Sequence, residues 1–151
     1  MINLLIAGSR DFTDYSRFKE IVISFLQKIK DENPGITREE FQIVSGGARG
    51  ADALAYEFGK AKGFTTTVIE ADWNKYGKQA GMIRNQVMAR LLEANRGGKN
   101  YVLCFWDGKS RGTKGMMDLA IYYKLDLYVY LYNENDWWEQ PNSTKFDKIA
   151  S

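Results

Sequence analysis

Short unbroken apolar runs alternate along this chain with longer stretches in which apolar residues return every three or four positions. Ile2–Ala7 is such a run, ended by Gly8, and reads as a buried strand closed by a turn. Between Asp14 and Lys30, Phe18, Ile21, Val22, Phe25, Leu26 and Ile29 recur at helical spacing until Asn33-Pro34-Gly35 breaks the pattern. Phe41–Val44 predicts a second strand, closed by Gly46-Gly47. Ala51–Lys62 predicts a helix with Leu54, Ala55, Phe58 and Ala61 on one face and Gly63 as its C-cap. Thr65–Ile69 is β-branched throughout and predicts a third strand. A polar, Gly-containing loop is expected as far as Gly81, then a helix over Met82–Ala94. Tyr101–Trp106 gives a fourth strand, Lys114–Tyr123 a last helix and Leu127–Tyr132 a fifth strand. Asn133–Ser151 reads as a polar tail holding Trp137 and Trp138.

Strands alternating with helices predict an α/β three-layer sandwich whose mostly parallel sheet, of about five strands, is covered on both faces. No repeat or low-complexity linker divides the chain. One domain over residues 1–132 is expected, with residues 133–151 packing on it or at an oligomer interface. In such sheets ligands sit beyond the carboxyl ends of the strands, where the strand order switches. The residues at those ends therefore carry the functional question.

Four segments follow strands: Gly8-Ser9-Arg10-Asp11, Ser45-Gly46-Gly47-Ala48-Arg49-Gly50-Ala51-Asp52, Gly77-Lys78-Gln79-Ala80-Gly81-Met82-Ile83-Arg84-Asn85, and Trp106-Asp107-Gly108-Lys109-Ser110-Arg111-Gly112-Thr113. Each mixes small residues with Arg or Lys. Glycine lets the backbone approach a ligand closely. Helix starts offer unpaired N–H groups and a favourable dipole to an anion, and arginine's planar fork matches phosphate. Together they predict a site for a phosphorylated small molecule. Its phosphate contacts would come from Gly8, Ser9, Arg10, Ser45, Gly46, Gly47, Arg49, Gly50, Asp52, Arg84, Asn85, Ser110, Arg111, Gly112 and Thr113. Asp72-Trp73 and Trp106-Asp107 each pair an aromatic face with an acceptor, as a base and a ribose hydroxyl would need, although a core role suits tryptophan equally well. Asp52 is favoured in a first helical turn even without a ligand. Tyr122, Tyr123, Tyr128, Tyr130 and Tyr132 read as core or dimer surface, and Trp137-Trp138 as cover for a sheet edge or an interface anchor. Neither a G-x-G-x-x-G fingerprint nor a G-x-x-x-x-G-K-[ST] loop is present, which disfavours ordinary dinucleotide dehydrogenases and P-loop NTPases.

Composition narrows the chemistry. The chain has no histidine, which removes His-based triads, His-ligated metals and imidazole acid–base catalysis. Its one cysteine, Cys104, lies in an apolar run and reads as a buried, inert thiol in a protein of a reducing cytoplasm. No metal site is expected from the side chains, and no cofactor is required. A Mg²⁺ held through ligand phosphates would leave little trace in the sequence. A net charge of +2 over 151 residues is too small for wrapping a nucleic-acid backbone. Neither a signal peptide nor a membrane-length apolar run is visible.

Ile6-Ala7-Gly8-Ser9-Arg10-Asp11-Phe12, the Ser45–Asp52 segment, Ala71-Asp72-Trp73, Gly81-Met82-Ile83-Arg84-Asn85 and Phe105–Thr113 occur in an order that resembles the YspA-related branch of the SLOG superfamily, which joins Smf/DprA and LOG proteins. The resemblance runs from Ile2 to about Tyr132. It implies a Rossmann-like fold, a nucleotide-derived ligand that is sensed or sequestered, a setting that is often phage-borne, and homo-oligomers. Relatives imply two alternatives, namely N-glycoside hydrolysis of nucleoside 5′-monophosphates as in LOG enzymes and single-stranded DNA binding as in DprA. For the LOG chemistry Arg84 matches the arginine of the Arg-Lys motif, with Asn85 in place of its lysine. Gly112-Thr113 matches the Gly-Thr of the Pro-Gly-Gly-x-Gly-Thr-x-x-Glu signature, but the glutamate position falls on Met116. Asp118 or Asp52 would then have to supply the carboxylate, with Asp118 expected on another helix face.

Overall fold

The computed structural model describes residues 1–139. Strands β1 (Ile2–Gly8), β2 (Phe41–Ser45), β3 (Thr65–Val68), β4 (Lys99–Trp106), β5 (Asp126–Leu131) and β6 (Asp136–Glu139) form one sheet in the order β3-β2-β1-β4-β5-β6. All neighbours are parallel except β5 and β6, which run antiparallel. The helices are α1 (Tyr15–Glu32), α2 (Ala51–Lys62), α3 (Trp73–Tyr76), α4 (Ala80–Glu93) and α5 (Arg111–Tyr122).

Side-chain alternation along each strand divides the core in two. Leu4 and Ile6 of β1, Ile43 of β2, and Leu103 and Phe105 of β4 face Phe18, Val22, Phe25 and Ile29 of α1 and Leu54, Ala55 and Phe58 of α2. Leu5 and Ala7, with Val102, Cys104 and Trp106, face Met88, Ala89 and Leu92 of α4 and Met116, Met117 and Ala120 of α5. Helix–sheet–helix layering follows, and the fold is Rossmann-like. The first face is rich in stacked rings, with Phe18 against Phe105 at 4.8 Å and Phe12 against Phe105 at 5.2 Å between centroids. Such pairs add about 0.5–1.5 kcal/mol each beyond area burial.

A line of polar side chains crosses the sheet near the starts of β1, β2 and β4 and reaches Thr67 in β3. Thr67 donates to Gln42 (2.9 Å), Gln42 to Asn3 (2.8 Å), Asn3 to Asn100 (3.2 Å), and Asn95 also to Asn100 (3.0 Å). Asn3 is buried, so those bonds keep its amide from being an unpaired polar group in the core.

Four differences from the sequence expectation have local causes. The stretch expected as loop before Gly81 holds α3 and a 3-10 turn at Gly77–Gln79, because the Asp72 carboxylate caps α3 by accepting from Lys75 N. Helix α4 accordingly begins at Ala80 rather than Met82. Helix α5 begins at Arg111 rather than Lys114, since Ser110 caps it through the N–H of Thr113. The start of the polar tail forms β6, a sixth strand. Trp137 pairs with Tyr130 across the ladder, and their rings lie 5.1 Å apart. The β5–β6 turn is fixed by Tyr130 Oη donating to Asn135 (2.6 Å), with Arg17 Nε donating to the same hydroxyl (2.9 Å). The tail from residue 140 onward, which the sequence suggests packs on the domain or at an interface, lies outside the described residues. No described helix is long and apolar enough to cross a membrane.

Candidate functional site

The carboxyl ends of β1, β2, β3 and β4 open onto a two-lobed cleft. The larger lobe, about 540 Å³, lies between the loop after β1 and the first turns of α4 and α5. The second, about 480 Å³, lies over Gly46, Gly47 and Arg49 after β2 and Glu70 and Ala71 after β3. Arg10, Ala48, Trp73 and Arg84 line both lobes. The Arg10 guanidinium sits 5.6 Å from the centroid of the half-exposed Trp73 ring and spans the junction.

Arg84 is held by its neighbours. Its Nη1 donates to Gly46 O (2.6 Å) and its Nε to Asn85 Oδ1 (3.0 Å), while Asn85 Nδ2 donates to Gly112 O (3.2 Å). One chain of bonds therefore ties the end of β2, helix α4 and the first turn of α5, and Asn85 is the buried link. Burial lowers the affinity of the Arg84 guanidinium for its proton, and nearby Asp52 partly restores it.

Asp52 lies in the first turn of α2 and is 5% exposed, yet it lines the larger lobe. Its Oδ2 accepts from Ala48 N at 3.2 Å. It belongs to none of the ion pairs among the described residues, which join Lys28 to Glu32, Arg96 to Glu93 and Lys114 to Asp118. Burial pushes its carboxyl up to about 6, against the opposing pull of Arg84, the Ala48 N–H and Arg10. Gly46 sits in the gap between these groups. A methyl placed on it would come 2.8 Å from Arg84 Nη1 and 2.9 Å from Asp52 Oδ2.

Two glycines of α5 behave differently. Methyls on Gly112 and Gly115 would meet nothing within 4 Å, and both residues line the larger lobe. Packing does not require glycine at either position. What their absent side chains leave is open wall in the cleft.

Of the phosphate contacts expected from sequence, Gly8, Arg10, Asp52, Arg84, Asn85, Ser110, Arg111, Gly112 and Thr113 line the larger lobe and Gly46, Gly47 and Arg49 the second. Three others lie beneath the cleft. Ser45 is buried and its hydroxyl donates to Asp52 O (2.9 Å). The backbone of Gly50, at φ 79°, passes so close to Ser9 that a methyl there would lie 2.4 Å from Ser9 O. Ser9 O itself accepts from Phe12 N (3.2 Å) and Ala51 N (3.3 Å), fastening β1 to α2. The buried Ser9 hydroxyl faces Asp107 and Tyr132 without a hydrogen bond of ordinary geometry.

The residues expected at base and ribose divide as well. Trp73 is at the cleft, but Trp106 is 3% exposed and packs in the core, its ring 6.3 Å from that of Trp138 and its Nε1 donating to Ser110 O. Asp72 caps α3, and Asp107 accepts from the N–H groups of Lys109 (2.8 Å) and Ser110 (2.7 Å). Burial acts to raise the Asp107 carboxyl, but these N–H groups together hold it below the usual range. Asp118 lies on the rim of the larger lobe, paired with Lys114 at 3.1 Å, whereas Met116 is fully buried.

From the third strand-end segment the sequence singled out only Arg84 and Asn85 as contacts. Lys78, Gly81, Met82 and Gln86 also line the larger lobe, and Glu70 lines the second. The signal available for the first group was the apolar stripe of α4, Met88, Ala89 and Leu92, which gives way toward the N-terminus to Gly81 and Asn85. Glu70 follows β3 directly and carries no pattern of its own. Among the described residues, no group of three or more acidic or cysteine side chains comes together to hold a metal ion.

The family described as YspA, cpYpsA-related SLOG matches residues 2–76. The "Gene 61 protein" of Mycobacterium phage D29 is 32% identical over 122 residues, which covers 78% of this chain and 86% of the phage protein. No solved structure matches the chain.

Proposed function

The chain belongs to the YspA, cpYpsA-related SLOG family, and we propose from that premise that it binds a phosphorylated nucleotide or nucleotide-sugar at the carboxyl ends of β1–β4, sensing or sequestering it. The observation that supports this most is the pair of glycines, Gly112 and Gly115, that leave cleft wall open where packing would admit a side chain. Arg84 and Arg10, shared by both lobes, supply the positive charge that phosphates need. Phosphate oxygens would lie over Gly46, Gly47, Gly112 and Thr113, with Trp73 beside base or ribose. Any Mg²⁺ would arrive with the phosphates. Cytoplasmic location, a phage-borne setting and assembly into homo-oligomers belong to the same proposal. Light scattering checks the last of these.

The test is mass spectrometry of the protein with a nucleotide panel that includes AMP, ADP-ribose, NAD and cyclic signalling nucleotides. An intact retained ligand that is lost in Arg84→Ala is expected. Retention of none across the panel refutes the reading.

A second reading is hydrolysis of an N-glycosidic bond. Met116, buried in α5, offers no carboxylate where LOG enzymes carry their glutamate. Asp52, buried and lining the same lobe as Gly112 and Thr113, favours this reading more than the exposed, ion-paired Asp118 does. Release of free base in the same experiment decides it. Binding of single-stranded nucleic acid, a third reading, predicts affinity that falls steeply with added salt.

A further inference from the structure

We propose that the cleft takes up a proton on Asp52 when it binds an oxyanion, so that ligand binding and pH are coupled. The inference rests on the anion-binding reading above and adds a property to it.

Asp52 is a carboxylate in an unusual position. It is almost fully buried and lines the larger lobe, and among the described residues its carboxylate accepts one hydrogen bond, from Ala48 N at 3.2 Å. It belongs to no ion pair among the described residues: Arg84 turns its Nη1 to Gly46 O, and the space between guanidinium and carboxylate is one that a side chain on Gly46 would fill. The charged and titratable groups that act on it come from three elements. They are Arg84 from α4, Arg10 from the loop after β1, and Cys104 from β4, whose thiol burial keeps neutral. Both arginines are therefore shared property. Their field stabilises the Asp52 charge, which burial disfavours.

An oxyanion bound by Arg84 and Arg10 would draw on that same field and add negative charge beside the carboxylate. Two carboxylate-like charges at close quarters do not both stay ionised in a low-dielectric pocket. The cheaper response is protonation of Asp52, since burial has already raised its carboxyl to about 6 in the free protein. In the complex it would titrate higher still. Between the free and the bound value, each binding event takes up to one proton, and affinity rises by up to about tenfold for each pH unit of acidification. Below the free value the carboxyl is protonated in both states and the dependence flattens.

Sulfate is the probe, because it does not titrate near neutrality as a phosphate monoester does. Calorimetry of sulfate binding, in buffers of different ionisation enthalpy, counts protons directly. Wild type is expected to take up a proton and to bind sulfate more tightly as pH falls from about 8 to about 6. Asp52→Asn keeps the acceptor for Ala48 N, and it should bind with no proton uptake and no slope, and more tightly than wild type at the alkaline end. Sulfate bound by wild type equally at every pH, or a slope that persists in Asp52→Asn, would overturn the inference while leaving the cleft as an anion site. Failure of both proteins to bind sulfate or any panel nucleotide would overturn the anion-binding reading and this inference with it. The proton count on wild type stands even where the variant fails to fold.

Discussion

Replacing Gly112 and Gly115 by alanine should stabilise the protein and weaken its ligand binding at the same time. Both residues lie inside α5, and a methyl on either finds nothing within 4 Å. The only folding consequence is then backbone entropy and helix propensity. Alanine exceeds glycine in a helix interior by about 0.8–1.0 kcal/mol. Gly115 should show most of that, and Gly112, in the first turn, roughly half. For a chain of this size 1 kcal/mol moves the melting temperature by about 2–4 °C, so the double variant should melt about 3–6 °C higher. Both residues nonetheless line the larger lobe. A ligand seated against that wall would meet an overpacked contact costing about 1–3 kcal/mol, a loss of roughly 5- to 150-fold in affinity. Scanning calorimetry of the free variants and titration with the nucleotide retained by wild type measure the two effects separately. A lower melting temperature would mean that the glycines serve packing after all. An unchanged affinity would remove the cleft wall from the ligand contact.

Gly50→Ala puts a side chain at φ 79° and 2.4 Å from Ser9 O, so it should destabilise by about 3 kcal/mol or more; an unshifted urea midpoint would contradict this. Trp106→Ala should cost about 3–5 kcal/mol of stability as a core truncation, whereas Trp73→Ala should stay within about 0.5 kcal/mol yet reduce ligand binding, and paired urea and binding titrations separate the two tryptophans. Asp52, raised from 3.8 to about 6, holds its proton in the folded chain where the unfolded chain has lost it. Stability should therefore fall as pH rises through that window, by about 2–3 kcal/mol at its upper side, and Asp52→Asn should lack this component. A variant that tracks wild type in parallel at every pH would refute it.

Much of this was legible because glycine, charge and periodicity are local signals. The five parallel strands and the four long helices follow from where the apolar residues stand, and the cation-bearing loops follow from the strand ends. What stayed hidden depended on partners distant in the chain. Asp-Trp-Trp-Glu, Asp136–Glu139, carries too little apolar character to announce a strand, and it pairs only because the tyrosine face of β5 and the Arg17–Tyr130–Asn135 cluster receive it. Trp73 and Trp106 look alike in sequence, each beside an aspartate. One follows an edge strand, and the other ends β4, where the alternation turns it into the second core. Asp72 and Asp107 likewise cap local N–H groups, a role that competes with ligand contact for any Asp near a turn. The closeness of Arg84 to Gly46 and Asp52 is a contact between α4, β2 and α2 that no spacing rule reports.

The line of polar side chains near the strand starts bears on how reliably the cleft is assembled. Sliding a strand by two residues returns each side chain to its own face, so apolar burial alone tolerates the slip. The chain Thr67–Gln42–Asn3–Asn100 does not. Displacing β1 by two residues would strand the buried Asn3 amide and its partners, at about 1–3 kcal/mol for each group left unpaired. The amides thus act as an index mark for β1 through β4. The glycine-bearing loops, a strand's length away, meet at one level because alignment is enforced at the opposite edge, where no ligand chemistry competes for the polar residues.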